Sequence, residues 1–243
     1  MCELCRDNPD HRSPPSRRGF LFGASAVGFA LTSGAFAKEA KSPPKPQNVV
    51  SPDAALKRLK EGNERYEHGL TRRHDFKHER EALVGGQNPF AAILSCADSR
   101  IAPEYAFDSG RGDLFVCRVA GNFATDETVA SLEYGVAVLN VPLILVLGHD
   151  ACGAVDATIK SLKDNKPLPG HMQTLVEGIA PAVKAVAGQA GNALDNAIRQ
   201  NVVDNVARLK GATPILSAAV DQSKLKVVGG IYRLKDGRID MVA

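Results

Sequence analysis

Three side chains able to do chemistry stand on alternate positions in "ILSCADSRIAPE", residues 93–104: the thiol of Cys96, the carboxylate of Asp98 and the guanidinium of Arg100. A second reactive stretch, "GHDACGAV", sets His149 three residues before Cys152. Two thiolates and one imidazole make a three-ligand zinc site whose fourth position is open, the composition of a catalytic rather than a structural zinc centre. A lone cysteine is usually a small buried hydrophobe, and a lone histidine a hydrogen-bonded core residue. Cys117 in "LFVCRVA" is read in that way. Cys96, His149 and Cys152 stand above it because C-x-D-x-R and H-x-x-C occur together, each after an apolar run.

Those runs indicate what must position the ligands. "FAAILSC", "DLFVCRVA" and "PLILVLGH" are nearly continuous in apolar residues, the pattern of strands covered on both faces, and "ETVASLEYGVAVLN" between the second and third has helical spacing. Alternation of this kind predicts an α/β fold, a mostly parallel central sheet flanked by helices with right-handed crossovers. Open sheets hold ligands at the carboxyl ends of their strands, so the two motifs are expected to meet there. Ser51, Pro52 and Asp53 start a helix in which Leu56, Leu59 and Tyr66 recur down to Gly69, an amphipathic element that needs a surface to pack on. "TRRHDFKHERE" lacks apolar periodicity and reads as a solvated segment. "LVEGIAPAVKAVAG" and "LDNAIRQNVVDNVARLKG" predict two more helices, the first broken or kinked at Pro181. "KLKVVGGIYRL" and "GRIDMV", joined by "KDG", read as closing strands.

Of the 243 residues, 44% are hydrophobic and 23% charged, which suits one main core. A net charge of +3, 5% aromatics and no Trp offer neither a basic phosphate-binding face nor a base-stacking surface, so nucleic acid is not an expected partner. Five cysteines are too few for a disulfide scaffold of this length. Residues 1–37 resemble a twin-arginine export signal: Arg17 and Arg18 precede an uncharged run over residues 19–37 that closes on Ala35-Phe36-Ala37. Cleavage after Ala37 would place the mature chain in the periplasm or otherwise outside the cytoplasm, with the twin-arginine (Tat) machinery as a partner; the competing reading is an uncleaved membrane anchor. Residues 38–50, "KEAKSPPKPQNVV", read as a Lys/Pro-rich tether, and residues 51–243 as the catalytic domain. Cys2 and Cys5 form a C-x-x-C inside the signal, with no second pair nearby, and are assigned no role.

"SCADSRIAPE" and "GHDACGAV", with "GDLFVCRVAGN" between them, resemble the β-class carbonic anhydrases, and the similarity runs from the helix containing "EGNERY" to "VVGGIY". The resemblance implies one Zn²⁺ per chain on Cys96, His149 and Cys152, and a homodimer or homotetramer with the N-terminal helix packed on the neighbouring subunit. Asp98 has two implied states: a fourth zinc ligand that shuts out water, or a carboxylate held by Arg100 that lets water bind. Gln87 in "GGQNPFAAILSC" would orient the substrate from across the dimer interface. The implied activity is reversible hydration of carbon dioxide to bicarbonate and a proton by a zinc-bound hydroxide. Two alternatives stay open: a related zinc hydrolase acting on carbon disulfide or carbonyl sulfide, and a non-catalytic zinc-stabilised binding protein. One departure concerns regulation. Members inhibited by bicarbonate carry a Trp three residues before the first zinc cysteine, together with an Arg and a Tyr; here that position is Ile93, while Arg118 matches the Arg. No proton-transfer group is assigned, since His68, His74, His78 and His171 lie outside the motifs and read as surface residues.

Overall fold

The computed structural model describes residues 50–243. The expected signal, with Cys2, Cys5, Arg17 and Arg18, and the tether as far as residue 49 lie outside the described residues. A five-stranded sheet organises the rest: β1 Ala91–Ser95, β2 Leu114–Arg118, β3 Leu143–His149, β4 Lys226–Tyr232 and β5 Ile239–Met241, in the spatial order β2-β1-β3-β4-β5. The first four are parallel and β5 returns antiparallel to β4 across the expected turn. The α/β fold with a mostly parallel sheet is as expected.

β1 and β3 are buried at every position, which is why they read as unbroken apolar runs. Their side chains alternate between two cores. Ala91, Ile93, Leu143, Leu145 and Leu147 face one layer together with Phe90, Phe107, Ala55 and Leu59. Ala92, Leu94, Ile144 and Val146 face the other, built from helices that include α4 Asp126–Ala137, α5 Gly153–Lys163, α6 Gln173–Ala185 and α7 Ala193–Lys210. This alternation sends Cys96 to the second layer, beside Cys152 and Val155 of the α5 start.

The first helix, α1 Pro52–Glu67, begins where the sequence places it, with Ser51 Oγ accepting from the Ala54 N–H at 3.2 Å. Its face of Ala55, Leu59 and Asn63 is buried on its own chain. Three expectations are corrected. β2 is half-buried rather than covered on both faces, because it is the edge strand and pairs only with β1. The solvated reading of residues 71–81 missed a helix, α2 Phe76–Leu83, which buries no residue and so shows no apolar period; Asp75 caps it by accepting from the His78 N–H. Pro181 does not break α6, which runs on to Ala185, because Pro181 and Glu177, whose carbonyl loses its donor there, both face solvent. A further helix, α8 Ile215–Asp221, and the short α3 Pro103–Ala106 complete the layers.

Candidate metal centre

At the carboxyl end of β1 the chain leaves the sheet at Cys96; at the end of the adjacent β3 it leaves at His149. Cys152 follows as the N-cap residue of α5, after a turn through Ala151 at φ 51°. One ligand atom from each of Cys96, His149 and Cys152 lies within 4.8 Å of the others, and all three residues are buried. That spread closes on a single ion whose bonds to sulfur and nitrogen are about 2.0–2.3 Å. His149 Nδ1 lies 2.8 Å from the Asp150 carbonyl, to which it donates, so the proton sits there and Nε2 is left as the ligand. Nε2 is buried and makes no hydrogen bond, a cost that a metal removes. The donor set and this orphaned nitrogen fit zinc.

The hydrogen bond from Cys152 outweighs burial and, with the Gly121 N–H at 3.3 Å, pulls the Cys96 thiol down to about 4. Cys152 is pushed up, by the thiolate it faces and then by burial. Its place at the positive end of α5 offsets part of that.

Asp98 borders the cluster without entering it. Its Oδ2 stands 3.9 Å from His149 Nε2. Arg100 holds both oxygens, Nε to Oδ1 at 2.9 Å and Nη2 to Oδ2 at 2.7 Å, and the Arg100 backbone N–H adds a third bond at 2.9 Å. This two-pronged grip, chiefly, holds the Asp98 carboxyl far below the usual carboxylate range, so it is ionised throughout the neutral region. Of the two implied states, this is the one with Asp98 on Arg100.

Arg118 does something the sequence did not reveal. Its Nε donates to the Cys96 carbonyl at 2.9 Å, and Nη2 to the carbonyls of Asp98 and Ile101 at 2.7 and 2.8 Å. The guanidinium therefore ties down the loop that carries the ligand and the carboxylate. Asp150 was equally illegible: its Oδ1 accepts from the Leu234 N–H at 3.0 Å while its N–H donates to Tyr232, locking the His149 turn to β4. Gln87 is exposed in the loop before β1, at the amino end of the strand whose carboxyl end carries Cys96. A five-residue strand at about 3.3 Å per residue separates it from the cluster of its own chain. None of His68, His74, His78 and His171 belongs to the metal cluster; His68 and His171 are exposed, and His74 and His78 are half-buried against Glu79 and Asp75. Cys117 is half-buried on β2 and its thiol is pushed up by burial, as an inert cysteine's would be.

Comparison with known proteins agrees with this geometry. The family model described as carbonic anhydrase matches residues 91–239. Carbonic anhydrase 2 of Mycobacterium tuberculosis is 41% identical over 190 residues, covering 78% of this chain and 92% of its own. Among solved structures, the β-carbonic anhydrase CcaA superposes with a TM-score of 0.59 at 28% identity, over 77% of this chain and 98% of that one. One of two tetrameric β-carbonic anhydrases from Sordaria macrospora gives 0.62 at 25% identity, over 69% and 87%. The two ligand motifs, the parallel sheet that joins them and these likenesses agree, and the chain belongs to the β-class carbonic anhydrase family.

Proposed function

We propose that this chain hydrates carbon dioxide reversibly to bicarbonate and a proton, using zinc held by Cys96, His149 and Cys152. The observation that carries it is the buried Cys-His-Cys cluster with an ionised carboxylate beside it, gripped by Arg100 and 3.9 Å from His149 Nε2. Zinc supplies there the acidity that makes a water nucleophilic. Asp98, an acceptor only, takes the hydrogen bond of that water and turns an oxygen lone pair toward the substrate carbon. Arg100 is the latch that keeps Asp98 in this role; without it the carboxylate would swing onto the metal and shut the site. Two anionic sulfurs offset the charge of the ion, so activity rises toward mildly alkaline pH. Retention of both Asp98 and Arg100 argues against a purely binding role. Stopped-flow carbon dioxide hydration at two pH values, with zinc measured on the same sample, tests the reading. One zinc per chain without hydration would sink it.

The functional unit proposed is a dimer, in which Gln87 donates its amide to a substrate oxygen in the neighbour's site. Supporting this is an apolar groove of about 920 Å³ lined by Tyr66, Leu70, Phe76, Leu83, Val84 and Tyr105. Val84 is 87% exposed and Tyr105 74%, large apolar surface that a second copy would cover. Val84, which lines the groove at the end of α2, stands three residues before Gln87 in the chain.

The chain is further proposed to be exported by the twin-arginine route, on the strength of Arg17, Arg18 and the uncharged run that ends at Ala37. That route carries folded proteins, so zinc would be loaded before Cys96 and Cys152 meet oxidising conditions. Arg17→Lys with Arg18→Lys should retain the full-length chain in the cytoplasm; unchanged fractionation would refute export by this route.

A further inference from the structure

The inner face of α7 is apolar except at two positions. Ile198, Val202, Val206 and Leu209 belong to the core, yet Asn201 and Asn205 sit among them at 1% and 6% exposure. A buried amide is costly unless paired, so its partners identify what it is for. Asn201 Nδ2 donates to the Gly121 carbonyl at 2.8 Å, and the Ala124 N–H donates to Asn205 Oδ1 at 2.7 Å. Asn205 Nδ2 in turn donates to Asn201, to its carbonyl at 2.7 Å and its Oδ1 at 3.2 Å, which fixes the amide of Asn201. Both amides thus grip one short loop, residues 121–124, at its two ends.

That loop needs holding. Gly121 and Asn122 both have positive φ, 85° and 42°, a conformation that local preference does not favour at a non-glycine residue. A Cβ on Gly121 would stand 2.5 Å from Ile179 Cδ1, so α6 closes against the loop from another side. The N–H of the same Gly121 donates to Cys96 Sγ. A peptide N–H aimed at a thiolate stabilises the deprotonated sulfur that a metal needs and fixes the direction of its lone pairs, so losing it loosens the ligand.

We propose that Asn201, oriented by Asn205, is a positioning residue for the metal centre: it holds the Gly121 N–H on Cys96 Sγ and thereby sets how firmly that sulfur keeps zinc. The inference rests on the metal-centre reading above. Its control is Asn63, another buried helix amide, which bonds Ala106, Gly237 and Ile239 and reaches no ligand.

The test compares the holoenzyme with its Asn201→Ala and Asn63→Ala variants in two measurements: the rate of zinc loss to a chelator, and the sulfur-to-metal charge-transfer band after cobalt substitution. Asn201→Ala should release zinc about 10-fold faster and shift the band, as loss of an outer partner of a metal ligand does. Asn63→Ala should lower thermal stability while leaving both readings at the wild-type value. Equal zinc release and an unmoved band in Asn201→Ala, or equal changes in both variants, would overturn the proposal. Should Asn201→Ala fail to fold, the same two readings on Asn205→Ala decide it. A wild-type chain without zinc would overturn the metal-centre reading itself, a separate result.

Discussion

Asp98 and Arg100 divide the site's chemistry from its metal binding. The carboxylate is anchored by three bonds from a single residue and stands 3.9 Å from His149 Nε2, outside the Cys-His-Cys cluster, so removing it leaves that cluster whole. Asp98→Ala and Arg100→Ala should each lower turnover by about 100-fold or more while zinc stays near one per chain. Cys96→Ser should instead lose the metal, as read by elemental analysis of the folded protein. Loss of zinc from Asp98→Ala would show that Asp98 is a resident ligand. The ligands and Asp98 were legible in the sequence because each lies within a few residues of the end of an apolar run, where the strand itself dictates placement. Arg118, Asp150 and Asn201 were not, because what they do depends on carbonyls and N–H groups that only the folded chain brings near them.

At the level of elements, α1 is attached to its own chain by its buried face of Ala55, Leu59 and Asn63, and also by a close approach at Gly62 and a charge cluster at Asp108. A Cβ on Gly62 would stand 2.0 Å from the Phe107 carbonyl oxygen, a backbone atom that cannot step aside. Gly62→Ala should therefore destabilise the fold by about 2 kcal/mol or more, read as a shift in the denaturant midpoint. The next residue, Asp108, accepts from Arg65 Nε at 2.6 Å, the Arg72 N–H at 2.9 Å and Thr71 Oγ1 at 3.0 Å, tying the end of α1 and the segment after it to one carboxylate. Burial pushes that carboxyl up, but the three donors prevail and hold it below its ordinary value. A depressed folded-state pKa stabilises the protein above the unfolded value, about 3.9, and this contribution disappears as pH falls from there through the folded value. Thermal stability should drop across that acid range, and Asp108→Asn should flatten the drop while starting from a lower Tm near neutrality. The sequence showed α1 through its cap and apolar spacing. It concealed α2, whose helix buries nothing, and the edge position of β2, because an apolar run reads alike at the centre and at the rim of a sheet.

The molecule as a whole raises the question of where one complete site resides. β1 carries its cysteine at one end and Gln87 leads into the other, so a single chain cannot bring that amide to its own metal without unmaking β1, a strand paired on both sides. If Gln87 serves the neighbour, each site is shared, and the prediction concerns mixed assemblies rather than single variants. Gln87→Ala and Asp98→Ala homodimers should both hydrate carbon dioxide poorly while binding zinc. Unfolded and reassembled together in equal amounts, half of the dimers become mixed. In a mixed dimer the Gln87→Ala chain keeps its own Asp98 and receives Gln87 from its partner, so one intact site per mixed dimer returns. Activity should recover to about a quarter of wild type from two nearly inactive parents. An amide acting within its own chain gives no recovery, because neither subunit then holds both groups. The outcome also bears on the apolar groove that Val84 lines, three residues before Gln87: a chain that must borrow this residue has reason to leave Val84 and Tyr105 uncovered until a second copy arrives.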